Sequence, residues 1–283
     1  MEAGKGNMRG FMISAISRFG VLACVGMLGI LCLPGSAMAQ VTLTEENSTI
    51  NIVTNSQAGM DSWTIDGHNV LDQQWFWYRV GNDPTGQHSL DTLPATYTLT
   101  DPADLKITFT GATFIVTANL SLVGSPSGNG TSDLSLQFKV KNTSGSSANF
   151  HFYEYSNFVL GGPPGDTATF LNSNAVSQVG SLGSVFENAS ATGGTGFSAP
   201  MHYEANVVSN TLNSLTGGSP YILNGNSSAT GDVSWAFEWD LPIAGGATSQ
   251  FSKDISILVP EPSTVALVGV SLISMLALRR RRA

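Results

Sequence analysis

The sequence predicts an all-β body, an antiparallel β-sandwich or jelly roll, flanked by an N-terminal signal peptide and a C-terminal single transmembrane helix. Three observations carry this. Apolar residues recur with period two through the middle of the chain, as in Leu134, Leu136, Phe138 and Val140. Clusters of Gly, Asn, Pro and Ser, such as 124–130 and 161–165, separate these stretches. Outside the two ends no long segment has helical periodicity.

At the front, Lys5, Arg9 and Arg18 form a basic region, and residues 19–33 form an apolar one. Pro34 and Gly35 break it, and Ala37-Met38-Ala39 is a small-x-small cleavage site. Residues 1–39 are therefore expected to be removed after Ala39. Both cysteines, Cys24 and Cys32, lie in that segment. The mature chain is then expected to have no disulfide and no thiolate, and to rely on a large core.

Residues 40–258 form the expected β-domain. Phe114, Val116, Ala118, Leu120 and Leu122 make one inward set; Val233, Trp235, Phe237, Trp239 and Leu241 make another. In the latter strand Ser234, Glu238 and Asp240 are expected to face away. Residues 172–231 are rich in Gly, Ser and Asn and read as long loops or a poorly ordered insertion. The strand 250–258 leads directly into Pro260.

Residues 259–283 form a separate tail. Pro260 and Pro262 stiffen the chain around Glu261 and hold it extended. An uncharged stretch, 263–278, follows. As a helix it would be about 24 Å long, short of the ~30 Å bilayer core, and the arginines that follow can snorkel to make up part of the deficit. Arg279, Arg280, Arg281 and Arg282 then act as a membrane stop, placed in the cytoplasm by the positive-inside rule. This order of motif, apolar helix and arginine cluster resembles the PEP-CTERM sorting signal. The same segment is also known under the label of an ice-binding protein C-terminal domain. The resemblance implies recognition of Pro260, Glu261 and Pro262 by exosortase, a membrane-embedded transpeptidase-like enzyme, in a bacterium that makes exopolysaccharide. A weaker likeness, through Gly59 to Trp63, Gln74 to Gly81 and Trp235 to Leu241, is to a recurring body type among such proteins and implies no site residues.

Charge narrows the function of the body. Between positions 40 and 258 there are five basic residues (Arg79, Lys106, Lys139, Lys141, Lys253) against eighteen acidic ones, a balance of −13. Such a surface repels nucleic acid, so that partner class is excluded. No His-Glu-x-x-His, Gly-x-Ser-x-Gly, phosphate-loop or dinucleotide motif is present. The chain is read as a non-enzyme with no metal and no cofactor.

Two stretches could bind a ligand. Trp75, Trp77 and Tyr78 lie in the densest aromatic run and are the candidate glycan contacts; the competing reading is that they are core. On strand geometry Trp75 and Trp77 point one way and Tyr78 the other, so only one set could serve. His151, Tyr153, Tyr155 and Asn157 share a face that reads as a solvated outer surface. Alternation puts His151 and Glu154 on opposite faces, so that pair does not chelate one metal. Thr96, Thr98 and Thr100, with Thr108 and Thr110, give only two short rows, too few for ice binding.

The leading expectation is an exported surface or extracellular-matrix protein, sorted by exosortase and associated with exopolysaccharide. The alternatives are a carbohydrate-binding module and a secreted glycan-acting hydrolase. One test follows from the tail. Glu261→Ala should block processing in cells with active exosortase while export continues. Maturation at the wild-type rate would remove the sorting reading.

Overall fold

The computed structural model describes residues 40–161, 165–190 and 197–260. The expected signal peptide with Ala37 and Ala39, the residues Glu261 and Pro262, the apolar helix and Arg279 to Arg282 lie outside the described residues. Among the described residues no helix is long and apolar enough to cross a membrane.

The strands in chain order are β1 (Gln40–Glu45), β2 (Ser48–Val53), β3 (Gly59–Ile65), β4 (His68–Asn69), β5 (Leu71–Val80) and β6 (His88–Ser89). Next come β7 (Ala95–Leu99), β8 (Asp104–Thr110), β9 (Phe114–Val123), β10 (Thr131–Asn142) and β11 (Ala148–Phe158). Then follow β12 (Asp166–Asn172), β13 (Ala175–Gly180), β14 (Gly183–Ala189), β15 (His202–Val207), the short helix α1 (Asn210–Thr216), β16 (Ser228–Gly231), β17 (Val233–Ile243) and β18 (Thr248–Leu258). They build two nine-stranded sheets. The first runs β1-β2-β3-β5-β11-β17-β15, with β4 on β3 and β6 on β5. The second runs β16-β12-β13-β14-β18-β10-β9-β8-β7. Pairing is antiparallel except where β3 meets β5.

The alternation in β9 and β10 is realised as expected. Phe114, Val116, Leu120, Leu134, Leu136 and Phe138 are buried, and the residues between them are exposed or half-buried. Their inner faces meet the first sheet through an aromatic stack. Phe138 lies 4.6 Å from Phe76 and 5.0 Å from Phe251, and Trp239 stacks on Phe251 at 4.4 Å. Rings in such contact add about 0.5–1.5 kcal/mol per pair beyond simple burial.

The segment 172–231 departs from expectation. It forms β13, β14, β15, α1 and β16, with positions 191–196 outside the described residues. Gly, Ser and Asn occupy the exposed sides and turns of short strands. Its buried apolar residues are few and scattered: Ala175, Val176, Val185, Ala189, Ala205, Leu215 and Leu223.

Charge is also buried between the sheets. The Lys253 amine on β18 contacts Glu154 Oε1 on β11 and lies 3.2 Å from Glu187 Oε1 on β14. All three residues are fully buried. Glu154 Oε1 also accepts hydrogen bonds from Gln74 Nε2 at 2.7 Å and Ser156 Oγ at 3.0 Å, and Glu187 Oε2 accepts one from Trp235 Nε1 at 3.1 Å. The cluster thus ties the first sheet to two strands of the second. Leaving one such charge unpaired costs about 3–5 kcal/mol.

One cation faces two carboxyls, so one of the latter should be neutral. Burial, reinforced by the charge of Glu154, pushes Glu187 up to about 8, against the opposing pull of Lys253. Its contribution to stability is therefore complete below the ordinary carboxyl value of 4.5 and is lost as pH rises to about 8. Glu187→Gln copies the protonated form. Between about pH 5 and pH 8 the wild type should lose melting temperature relative to this variant. Parallel curves for the two proteins would show that Glu187 does not hold the proton.

Candidate functional site

The outer face of the second sheet is open and polar. Strand register aligns Thr98, Lys106, Asn119, Gln137 and Ser252 in one rank across β7, β8, β9, β10 and β18. At about 4.8 Å between strands, the rank spans about 19 Å. The neighbouring rank holds Asp104, Ser121, Ser135 and Asp254. All of these except Thr98, together with Thr100, line an open groove of about 370 Å³. Ser135 Oγ donates to Asp254 Oδ1 at 2.5 Å. Among the described residues the side chains of Lys106, Asn119 and Gln137 have no hydrogen-bond partner, so an amine and two amides stand ready on adjacent strands. The inner residues Leu105, Leu120 and Leu136 fix this geometry by burying the alternate positions.

The outer face of the first sheet is different. Register there places Trp77, Tyr153, Glu238 and His202 in one rank, and Arg79, His151 and Asp240 in the next. This face was expected to be solvated. Instead Tyr153 and Tyr155 are fully buried and Asn157 is 4 % exposed. Ser234 and Glu238, expected to face away from the core, are likewise fully buried. The cover is the segment 209–224, which includes α1. Leu223 N donates to Glu238 Oε2 at 3.0 Å; Asn224 N and the Tyr221 hydroxyl donate to Glu204 Oε2 at 3.1 and 2.7 Å. Gln87 Nε2 and the Tyr153 hydroxyl reach the Tyr221 carbonyl at 2.7 and 3.0 Å.

At the edge of this cover His151 Nδ1 lies 2.5 Å from Asp240 Oδ1 and 3.6 Å from Glu238 Oε1. His202 Nε2 lies 3.6 Å from Asp240 Oδ2. Glu238 raises the His151 pKa, with Asp240 adding to it, against burial and the Arg79 guanidinium. Tyr153 is pushed up to about 12 by burial and then by the Glu238 charge, so it stays a neutral donor. Arg79 spends its hydrogen bonds on the Gly81 carbonyl at 2.8 Å and the Tyr153 hydroxyl at 3.3 Å.

The aromatic candidates are placed inside the molecule. Trp75 is 2 % and Trp77 1 % exposed, so neither ring offers a face to a ligand. Trp75 packs directly on Gly59, whose φ of +60° and lack of a Cβ permit the approach, and gives its indole N–H to Ser89 at 3.0 Å. Trp77 meets Tyr155 edge-on at 6.3 Å. Tyr78 is half-buried, 4.9 Å from Phe114 and 5.6 Å from His88. Of the tail, Val259 is buried and bonds to Gly130 O at 2.7 Å, whereas Pro260 is exposed. The last described strand, β18, thus stops two residues before Pro260.

Residues 258–282 match the model of the PEP-CTERM protein-sorting motif. The chain thus carries a PEP-CTERM sorting motif at its end. The motif implies an exported protein processed by exosortase. No curated protein matches the chain. Among solved structures, a bacterial glucoamylase complexed with acarbose is similar at 10 % identity and a TM-score of 0.53, over 84 % of this chain and 36 % of that one. The chain therefore spans about a third of that protein's length. A putative aldose 1-epimerase from Escherichia coli K12 gives 9 % identity, a TM-score of 0.46, and coverage of 80 % and 100 %. A galactose mutarotase-like protein from Lactobacillus casei gives 10 %, 0.45, and coverage of 77 % and 99 %. At these identities the glucoamylase likeness is one of fold alone.

The placement of Trp77 gives a direct test. Trp77→Ala should cost about 3–5 kcal/mol of stability, read by denaturant unfolding. A variant as stable as the wild type would mean that the ring is not packed as described.

Proposed function

We propose that this protein is an exported cell-surface or matrix component that meets exopolysaccharide through the outer face of its second sheet. The sorting motif supports export and exosortase processing, and exopolysaccharide is the polymer that the family resemblance points to. The observation that carries the contact surface is the rank Lys106, Asn119 and Gln137, whose side chains are unpartnered among the described residues and lie side by side on three strands. Amides, hydroxyls and one amine suit a hydroxyl-rich polymer, and the flanking Asp104 and Asp254 can accept hydrogen bonds from it. The glycan-binding role thus passes from the enclosed rings of Trp75 and Trp77 to this hydrogen-bonding face. The expected affinity per contact is low, because each net hydrogen bond contributes about 0.5–1.5 kcal/mol. A long polymer compensates by engaging many copies at once. We read the role as structural, with no turnover of the polymer.

The test is the double variant Asn119→Ala/Gln137→Ala. Sedimentation with the host polysaccharide should show binding weakened about tenfold, which corresponds to about 1.4 kcal/mol. Melting temperature should be unchanged, since neither amide supports the core. Unaltered binding would remove this surface from the account. Release of reducing ends by the wild type would replace the structural reading with an enzymatic one.

A further inference from the structure

We propose that His151, Glu238 and Asp240 form a binding site for one divalent transition-metal cation of the zinc class, with His202 placed to complete the set. The site lies on the first sheet, away from the proposed polysaccharide face. Three features support it.

The first is the donor set. His151 Nδ1 and carboxylate oxygens of Glu238 and Asp240 all lie within 4.8 Å of one another. In a tetrahedral zinc site, with bonds of about 2.0–2.2 Å, neighbouring donor atoms are about 3.4 Å apart. The separation of 3.6 Å between His151 Nδ1 and Glu238 Oε1 is already close to this. The 2.5 Å between His151 and Asp240 must open by about 1 Å. The Asp240 side chain is 34 % exposed, so it has room to turn. His202 Nε2, 3.6 Å from the other Asp240 oxygen and 38 % exposed, can swing in as the fourth donor. Mixed imidazole and carboxylate ligands suit zinc-class ions. Calcium and magnesium are hard ions that take oxygen ligands, water included, so imidazole donors disfavour both.

The second feature is an unsatisfied oxygen. Glu238 is fully buried, and its Oε2 takes the Leu223 amide. Its Oε1 has no donor within hydrogen-bond distance; the nearest polar group shown is His151 Nδ1, 3.6 Å away. A carboxylate oxygen enclosed without a donor is costly, and a cation at that position satisfies it. Arg79 does not do so, because its mapped hydrogen bonds go to Gly81 and Tyr153. Its charge offsets one of the two carboxylates, leaving the cluster net negative when both imidazoles are neutral.

The third is rigidity with access. The donors sit on three adjacent strands, β11, β17 and β15, held in register by the sheet. The partial exposure of His202 and Asp240 leaves an entry path from solvent.

The experiment is calorimetric titration of zinc chloride into the purified full-length protein without a histidine tag, with metal content after dialysis as a second readout. One saturable site of micromolar or tighter affinity is expected, with no heat from magnesium or calcium at equal concentration. Asp240→Asn should weaken zinc at least tenfold and His202→Ala by less, both with an unchanged melting temperature. His88→Ala, which removes a histidine elsewhere on the surface, should leave binding intact. Absence of saturable binding overturns the proposal. So does a folded Asp240→Asn variant that binds as tightly as the wild type, or loss of the site in His88→Ala. If Asp240→Asn proves unfolded, His202→Ala decides in its place: unchanged affinity there, with unchanged melting temperature, overturns the proposal.

Discussion

The central strands of the first sheet are enclosed on both faces, and most of the molecule follows from that. In β5, β11 and β17, residues that alternate in direction are buried alike: Phe152 with Tyr153, and Phe237 with Glu238. One side is the aromatic stack against the second sheet. The other is the cover formed by 209–224. The second sheet, covered on one side only, keeps a regular polar exterior across β8, β9, β10 and β18. One sheet thus supplies enclosed and partly enclosed polar groups, and the other supplies a broad wet surface.

Enclosure of so much chain without cysteines needs polar groups that are satisfied locally. The cover is attached through carboxylates: Glu204 takes Tyr221 and Asn224, and Glu238 takes Leu223. Between the sheets, Lys253 is held by Glu154 and Glu187 and lies 5.3 Å from the centre of the Phe76 ring. Such clusters contribute less to net stability than an apolar core of equal volume, but they fix which strand lies against which. Here that role falls on a contact joining β11 to β14 and β18.

What could be read from the sequence follows the same division. The strands β9 and β10 were legible because one face is wet, so polarity alternates with burial. In β17 the pattern places the large residues inside, where the structure has them, but turns Ser234 and Glu238 to solvent, where the structure buries them. Their cover comes from a Gly-, Ser- and Asn-rich segment whose composition suggests loops. The His151 face, which the same pattern turns to solvent, is enclosed for the same reason. Glu238 and Asp240, two apart on one strand, could be seen to share a face. Their meeting with His151 depends on a register across 89 positions, which one sequence does not encode visibly. The aromatic run at Trp75 to Tyr78 was ambiguous by nature, since rings suit both cores and sugar platforms. The tail was the most legible part, because three simple physical elements stand there in fixed order.

The two outer faces thus have separate chemistry: hydroxyls and amides on one, imidazole and carboxylates on the other. Together with the sorting motif, they fit the proposals made above: an exported body with a polymer on one face and an ion on the other. The most direct measurement is a backbone amide NMR titration of one isotope-labelled sample, first with host polysaccharide and then with zinc. Polysaccharide should shift amides around Lys106, Asn119, Gln137 and Ser252. Zinc should shift those around His151, His202, Glu238 and Asp240, and the two sets should not overlap. A polysaccharide response centred on β11 and β17, or a single set moved by both ligands, would contradict the division of the molecule on which this account rests.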